Sequence, residues 1–260
     1  ESSTINFTEI IKIFTQTKML FILFFTTCFA IIYMQFYETL PNYIMDWIDT
    51  TDVAQFLRLS QEFTILTSFG EGISYELLYI LNPVIVITFA QILQKIFSGK
   101  DPVYPLLISQ TLVTIGFAFC SFSMNGQHLI FGMIVYTFGE MLFNMKILEL
   151  VSKIAPRDRK STYLGSLSIS YTLGLTLGAV SSGYLYKGLA EKYSLAMKYL
   201  ESHNNSGINL QSVGNFFISK ESTILLWDYF KPYLFWIPFI LIGLIGMLTI
   251  YVFKNIMTSN

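Results

Sequence analysis

The chain has 260 residues, of which 53% are hydrophobic and only 13% are charged. So little charge cannot cover the surface of a soluble domain, and the composition therefore excludes an ordinary water-soluble fold. The formal net charge of −1, with no cluster of lysines and arginines among base-stacking aromatic residues, argues against nucleic acid as a partner.

The apolar residues are gathered in long blocks. A helix that crosses a bilayer needs roughly 20 mainly apolar residues, and six blocks of this kind are bounded by charged residues, proline or polar clusters. They predict spans at about 19–45, 76–97, 103–124, 128–154, 162–186 and 232–253. The sequence therefore predicts an all-α, polytopic membrane protein, with six transmembrane helices forming one bundle in a lipid bilayer.

Lysine and arginine residues are concentrated in every second segment between the spans, which places them on one side of the membrane. Short cytoplasmic loops retain positive charge, so both chain ends are predicted to be cytoplasmic, in a membrane that the sequence does not identify. The outer segments are long enough to carry short surface helices, for which Ala190 to Leu200 and Ile218 to Tyr229 are candidates. The predicted divisions are a cytoplasmic linker at 1–18, the bundle at 19–254 with outer segments at 46–75 and 187–231, and a cytoplasmic tail at 255–260.

Polar residues interrupt the first span beyond its midpoint. Tyr33, Gln35, Tyr37 and Glu38 lie in the otherwise apolar helix, and Pro41 follows them. A proline ring removes one backbone hydrogen bond and clashes with the preceding turn, so this pattern predicts a bent helix beside a cavity. We assign Tyr33, Gln35 and Glu38 to the lining of that cavity, although tyrosine is also a typical interface anchor.

A side-chain amide precedes a helix breaker in the second span, at Asn82 and Pro83. Backbone carbonyls that are freed near such a break can line a polar path through a membrane. Asn82 is therefore a further candidate for the lining of the cavity.

Glu140 lies about halfway along the fourth span, where a charged side chain costs several kcal/mol and usually faces a cavity or a partner. Burial disfavours the charged form of a carboxyl group, whereas an approaching cation favours it, so such a group can exchange a proton for a substrate amine. We predict that Glu140 carries the proton or pairs with the charge of the substrate, with Asn144 beside it one turn later. A structural carboxylic acid, hydrogen-bonded to a neighbouring helix, is the alternative.

Two further patterns have mainly structural interpretations. Lys146, Glu149 and Lys153 follow Glu140 at helical spacing, and such pairs stabilise each other, so we interpret them as structural or gating ion pairs. In the fifth span, Gly174 and Gly178 are four residues apart. Small residues at this spacing let two helix backbones approach closely, so these glycines predict a helix-packing face.

The motifs of catalysis and metal binding are missing from the sequence. It contains no phosphate-binding glycine loop, no histidine and cysteine cluster with metal-ligand spacing, and no serine near glycine with a matching base. We therefore predict that the protein is not an enzyme and has neither a cofactor nor a metal site.

The fourth and fifth spans resemble a known family of transporters. The segments Gly139 to Leu142, Leu148 to Pro156 and Tyr163 to Gly165 are similar to the tenth-to-eleventh helix region of the major facilitator superfamily. Within that superfamily they look most like the proton-dependent oligopeptide transporters, and Leu81-Asn82-Pro83 and Gln35 fit the eighth and seventh helices of the same group. Met145 and Lys146 depart from the pattern, which usually has proline and an apolar residue there.

The resemblance implies that the chain is the carboxy-terminal six-helix bundle of such a transporter. An amino-terminal six-helix half, in the same or a separate polypeptide, would then be its partner, and the substrate site would lie between the two bundles at the membrane midplane. The implied function is symport of protons with a small polar, peptide-like solute by alternating access. A drug/proton antiporter is the close alternative, and a non-transporting membrane scaffold subunit with a transporter-like fold is another.

Overall fold

A computed structural model describes residues 14–203 and 219–258 of the chain. Within these ranges, six helical segments are long and apolar enough to cross a membrane. In chain order, the first to sixth spans are Thr17–Trp47, Tyr75–Phe97, Val103–Ser121, Gly126–Ile154, Lys160–His203 and Pro232–Ile256. The predicted fold class is thereby confirmed: the chain is an all-α, polytopic membrane protein.

The helices and strands have the following bounds. They are α1 (Thr17–Met34), α2 (Leu40–Trp47), α3 (Thr51–Phe56), β1 (Thr64–Thr67), β2 (Gly70–Ile73), α4 (Tyr75–Phe97), α5 (Val103–Ser121), α6 (Gly126–Ile154), α7 (Lys160–Leu189), α8 (Lys192–His203), α9 (Lys220–Phe230) and α10 (Ile237–Thr258). A π-helical turn at Gln35–Thr39 joins α1 to α2, and 3-10 turns lie at Gln61–Phe63 and Pro232–Trp236.

The two outer segments contain structure of their own. In the segment predicted at 46–75, α3 is followed by an antiparallel hairpin in which Thr64 of β1 pairs with Ile73 of β2. In the segment predicted at 187–231, α8 and α9 lie where short surface helices are predicted, and the stretch between them is outside the described residues. Most of the predicted linker at 1–18 and the end of the predicted tail are also outside them, and the orientation of the chain stays a prediction.

The first span lies at the centre of the bundle. It packs against the fifth and sixth spans, the third span packs against the fourth and sixth, and the second span packs mainly against the fourth. Two pairs of stacked rings join the first span to the fourth. The ring centroids of Phe29 and Phe143 are 3.7 Å apart, and so are those of Phe36 and Tyr136. This order leaves the second and fifth spans on either side of one open face, which the first and fourth spans line.

Glycines allow two of these helix pairs to meet backbone to backbone. A Cβ atom on Gly116 of the third span would lie 2.7 Å from the carbonyl oxygen of Gly132 in the fourth, and would also overlap the backbone of Tyr136. In the fifth span, a Cβ atom on Gly174 would lie 2.6 Å from the carbonyl oxygen of Thr27, and Gly178 lies against Met34. Gly174 and Gly178 therefore pack against the first span, where the absence of a side chain is required.

The π-helical turn explains how the first span accommodates Pro41. Proline has no backbone N–H, so it cannot continue the usual hydrogen-bond ladder. The N–H of Leu40, just before it, donates to the carbonyl of Gln35, five residues back, which is the π-helical pattern. The helix therefore continues to Trp47 with one wide turn, and this turn sets which side chains of the first span face the fourth.

Candidate functional site

Three spans meet at the carboxyl group of Glu140. The side chain is only 8% exposed, and it points toward the first and second spans instead of toward lipid. Its Oε2 atom accepts hydrogen bonds from the hydroxyl of Tyr37 and from Nδ2 of Asn82, each at 2.9 Å. Asn82 Nδ2 also lies 3.2 Å from the Thr137 hydroxyl. Among the described residues, no donor reaches the second carboxyl oxygen, Oε1, which can therefore accept a proton or a cation.

Aromatic rings extend on both sides of this carboxyl group. The ring centroid of Tyr37 lies 4.6 Å from that of Tyr33 and 6.0 Å from that of Tyr79 in the second span. Tyr33 lies in turn 5.6 Å from Tyr171 of the fifth span. The face of an aromatic ring carries partial negative charge and attracts cations. Glu140 thus lies within a band of tyrosines that crosses the open face of the bundle.

Local sequence explains why these groups converge. Thr137 and Glu140 are three residues apart in α6, so they share one helix face. Tyr79 and Asn82 have the same spacing in α4, and the Tyr79 hydroxyl donates to the carbonyl of Phe36, within the π-helical turn. That contact holds the second span against the first where Tyr37 reaches Glu140.

Three of the predicted site residues lie together in the structure, namely Glu140, Asn82 and Tyr33. Asn144 follows one turn after Glu140 but is exposed, and the hydrogen bonds that reach Glu140 come from other side chains. Glu38 is also exposed, on the π-helical turn. Asn144 and Glu38 therefore lie outside the hydrogen-bonded group around Glu140.

Gln35 occupies a different place from the one predicted. Its side chain is 0% exposed, and its Nε2 donates to the carbonyl oxygen of Gly178 at 2.9 Å. Its Oε1 accepts a hydrogen bond from the Thr39 hydroxyl at 2.9 Å. The amide thus joins the first span to the fifth, and its donors and acceptors are engaged within the bundle. This position corrects the assignment of Gln35 to the cavity lining: the residue is a packing residue.

Replacing Gln35 with leucine is expected to destabilise the bundle without weakening substrate binding. The change leaves the Gly178 carbonyl without its partner, and a buried unpaired polar group costs about 1–3 kcal/mol. A thermal unfolding measurement in detergent should show a lower midpoint, whereas the apparent affinity for substrate in transport should stay unchanged. A loss of affinity at unchanged thermal stability would return Gln35 to the binding site.

Sequence reasoning missed three members of this group, namely Tyr79, Thr137 and Tyr171, and it left the role of Tyr37 open. Thr137 and Tyr79 could have been found, because each lies one helical turn before a predicted residue. Tyr37 was open to interpretation as an interface anchor, and its contact with Glu140 depends on the π-helical turn. Tyr171 belongs to the group only because the fifth span packs against the first. The spacing of residues within one helix cannot reveal such a contact.

The charged residues beyond Glu140 form ion pairs. The Glu149 carboxylate forms ion pairs with Lys146 Nζ at 2.6 Å and with Lys153 Nζ at 2.8 Å. Lys146 Nζ also donates to the carbonyl oxygen of Phe97 at 2.8 Å, at the end of the second span. A cation there satisfies one of the carbonyls that a helix C-terminus leaves free and interacts favourably with the helix dipole. The cluster thus fixes the second span to the fourth at this end of the bundle.

Together, the six apolar spans and the enclosed carboxyl group define the chain as an integral membrane protein with a polar site between its helices. No family model matches the chain. Over 151 residues it is 26% identical to a Na(+), Li(+), K(+)/H(+) antiporter of Planococcus maritimus. The match covers 57% of this chain and 34% of the antiporter, so the chain spans only about a third of the length of that relative.

Proposed function

We propose that the chain belongs to a secondary active transporter that exchanges protons for a monovalent cation, with Glu140 holding each in turn. The observation that carries this proposal is the geometry at Glu140. One carboxyl oxygen is held by donors from two other spans, and the other oxygen receives no hydrogen bond from the described residues. A site of this kind has a fixed position and a vacant acceptor.

Exchange follows from the cost of burying charge. An ionised carboxyl group without a counterion is unfavourable inside a membrane protein, so Glu140 is occupied by a proton or paired with a cation. Because both use the same carboxyl group, binding of the cation releases the proton. If the site opens alternately to the two sides of the membrane, protons moving down their gradient drive the cation in the opposite direction.

The comparison supports antiport over the symport predicted from the sequence. The relative from Planococcus maritimus is named for exchange of Na⁺, Li⁺ or K⁺ against protons. The comparison gives no support to the peptide-like solute, whereas the drug/proton antiporter alternative shares the proton exchange with this relative. We therefore propose antiport by a protein that transports its substrate and does not modify it.

The tyrosines around Glu140 favour an organic cation as the substrate. Aromatic rings such as those of Tyr33 and Tyr37 can bind quaternary ammonium groups through their faces, and each interaction is worth about 0.5–1 kcal/mol at an exposed site and about 2 kcal/mol when desolvated. An alkali ion is the second candidate, because the relative is named for such ions and oxygen atoms of Glu140, Tyr37 and Thr137 lie close together.

We also propose that the six spans form one half of a major-facilitator-type transporter, as the sequence resemblance implies. The open face between the second and fifth spans supports this proposal, because the polar group at Glu140 lies there. An amino-terminal bundle facing it would enclose the tyrosine band and complete the substrate site. The opposite wall of the site would then be supplied by residues outside this chain.

Proton exchange by the full-length protein in liposomes tests the proposed function. The liposomes are loaded at acidic pH with a pH-sensitive dye, and tetraethylammonium, Na⁺, Li⁺ or K⁺ is added outside. We expect the internal pH to rise in a saturable manner, with tetraethylammonium effective at lower concentrations than the alkali ions. Liposomes without protein give the background. If no cation releases protons and a peptide accumulates along a proton gradient instead, the antiport proposal is wrong.

A matched pair of variants distinguishes the two substrate classes. Tyr33→Leu removes an aromatic ring, and Tyr33→Phe retains it. For an organic cation, the leucine variant should weaken the apparent affinity about 5-fold, the equivalent of about 1 kcal/mol, and the phenylalanine variant should not. Equal behaviour of the two variants with tetraethylammonium would favour the alkali ion.

A further inference from the structure

An apolar groove lies on the far side of the second span from the tyrosine band. Its volume is about 720 Å³, and it lies between the first turns of the second and fourth spans, under α3. Leu77, Leu81 and Ile130 are among its lining residues, and Gln127 is the only amide among them. A groove lined in this way suits a hydrocarbon chain and offers almost nothing to a polar substrate.

The groove is continuous with the membrane-facing surface of the second span. Ile80 and Val84 line it and are exposed, and Ile87, one turn further along the same face, is 82% exposed. In a chain whose spans cross a bilayer, such a stripe faces hydrocarbon. From Leu77 to Val84 the helix rises roughly 10 Å, which is about two-thirds of one leaflet of a hydrocarbon core about 30 Å thick.

The segment above the groove, which contains α3 and β1, also exposes large apolar side chains. Phe56 of α3 is 84% exposed, and Leu66 of β1 is 76% exposed. Large apolar side chains at the end of a spanning helix favour the interface between lipid and water. This segment therefore has the properties of an element that lies at the level of the lipid head groups.

Arg58 supplies a positive charge in the segment that covers the groove. Its two neighbours, Leu57 and Leu59, both line the groove, and Arg58 itself is exposed. Its backbone has a φ of 50°, in the left-handed conformation that ends α3 and that usually selects glycine. Among the described residues, no ion pair or side-chain hydrogen bond engages its guanidinium group. An arginine without a partner among the described residues thus occupies a position where glycine would fit the backbone better.

We propose that this groove binds a membrane phospholipid, with an acyl chain between the second and fourth spans and the phosphate group at Arg58. The apolar lining, the continuity with the lipid-facing stripe and the position of the arginine each match one part of such a molecule. Guanidinium groups bind phosphate through paired hydrogen bonds, which gives the site a preference for anionic head groups. This site is separate from the one around Glu140 and does not depend on the transport proposal.

Quenching of an introduced tryptophan by brominated lipids tests the proposal in the full-length protein. Phe131→Trp places the probe in the groove, and Phe24→Trp places it on the first span, with each parent side chain 51% exposed. Liposomes contain phosphatidylglycerol or phosphatidylcholine with brominated acyl chains, and the protein without the added tryptophan gives the background. We expect a preference for phosphatidylglycerol of about 3- to 5-fold at Phe131→Trp, since one basic residue near the surface contributes about 1 kcal/mol, and no preference at Phe24→Trp.

Variants of Arg58 complete the test. Arg58→Gly removes the charge and suits the left-handed backbone, so the protein should fold at least as well while the lipid preference disappears. Arg58→Lys should retain part of it. A preference that survives Arg58→Gly would overturn the proposed head-group contact. A probe at Phe131→Trp that no lipid quenches, while the one at Phe24→Trp is quenched, would show that protein covers the groove and would overturn the proposal as a whole.

Discussion

Replacing Glu140 with glutamine is expected to reduce proton-coupled antiport to the background of protein-free liposomes. The glutamine side chain has nearly the same shape, and its amide oxygen can still accept the hydrogen bonds from Tyr37 and Asn82. It cannot bind and release a proton at any ordinary pH, and it carries no charge to pair with a cation. Exchange should therefore fail because the variant can neither release a proton nor pair with the cation. The surrounding helices should keep their packing.

Two controls make this result specific to Glu140. Glu201→Gln makes the same chemical change at an exposed position on α8 and should leave exchange unaltered. The thermal midpoint of the Glu140→Gln protein should stay close to that of the unmodified protein, since the hydrogen-bond acceptor is retained. Sustained proton release by the Glu140→Gln protein would remove this residue from the mechanism and favour a structural carboxylic acid.

The second large effect is expected from Gly116→Ala, which should destabilise the contact between the third and fourth spans. A methyl group at this position overlaps the backbone of Tyr136 and lies 2.7 Å from the Gly132 carbonyl oxygen. Backbone cannot move aside as the end of a flexible side chain can, so the two helices must separate. Overpacking of this kind costs about 1–3 kcal/mol, and we expect a value at the upper end, which lowers the unfolding midpoint by roughly 5–10 °C.

Gly165→Ala is the matched control for this measurement. Among the described residues, no atom outside the adjoining turns of its own helix lies within 4 Å of a Cβ at Gly165, so the same substitution meets open space. Alanine is the better helix former by about 1 kcal/mol in aqueous helices, and the control should therefore unfold at the same temperature or slightly higher. Equal midpoints for the Gly116→Ala and Gly165→Ala proteins would mean that the third and fourth spans tolerate a wider separation than the structure has.

The sequence was sufficient to predict six spans and to single out two residues of the candidate site, Glu140 and Asn82. Block length and hydropathy determine the spans because bilayer thickness sets a minimum helix length. Glu140 and Asn82 were recognisable because polar groups are costly at that depth, and they lie together in the structure. The role of Gln35 was not recognisable, because an amide that lines a cavity and one that binds a neighbouring backbone have the same pattern in a single sequence.

Helix packing was predictable only in part, for a related reason. The spacing of Gly174 and Gly178 indicated a packing face, and both glycines lie against the first span. Gly132 and Gly139 are about two turns apart in the fourth span and meet the third span just as closely, although this longer spacing is not a recognised packing motif. Which helix lies opposite a glycine depends on the arrangement of all six spans, which local spacing does not contain.

The wide turn at Gln35–Thr39 means that the two parts of the first span are phased differently against their neighbours. Removing one residue there would restore a regular helix and rotate everything beyond it by about 100°. Tyr43 would then lose its hydrogen bond to the Ser121 carbonyl, and Trp47 its bond to Ala190. An alignment with a transporter that has a regular first helix therefore needs a gap at this turn. Without that gap, every residue of the span beyond the turn is assigned to the wrong face of the helix.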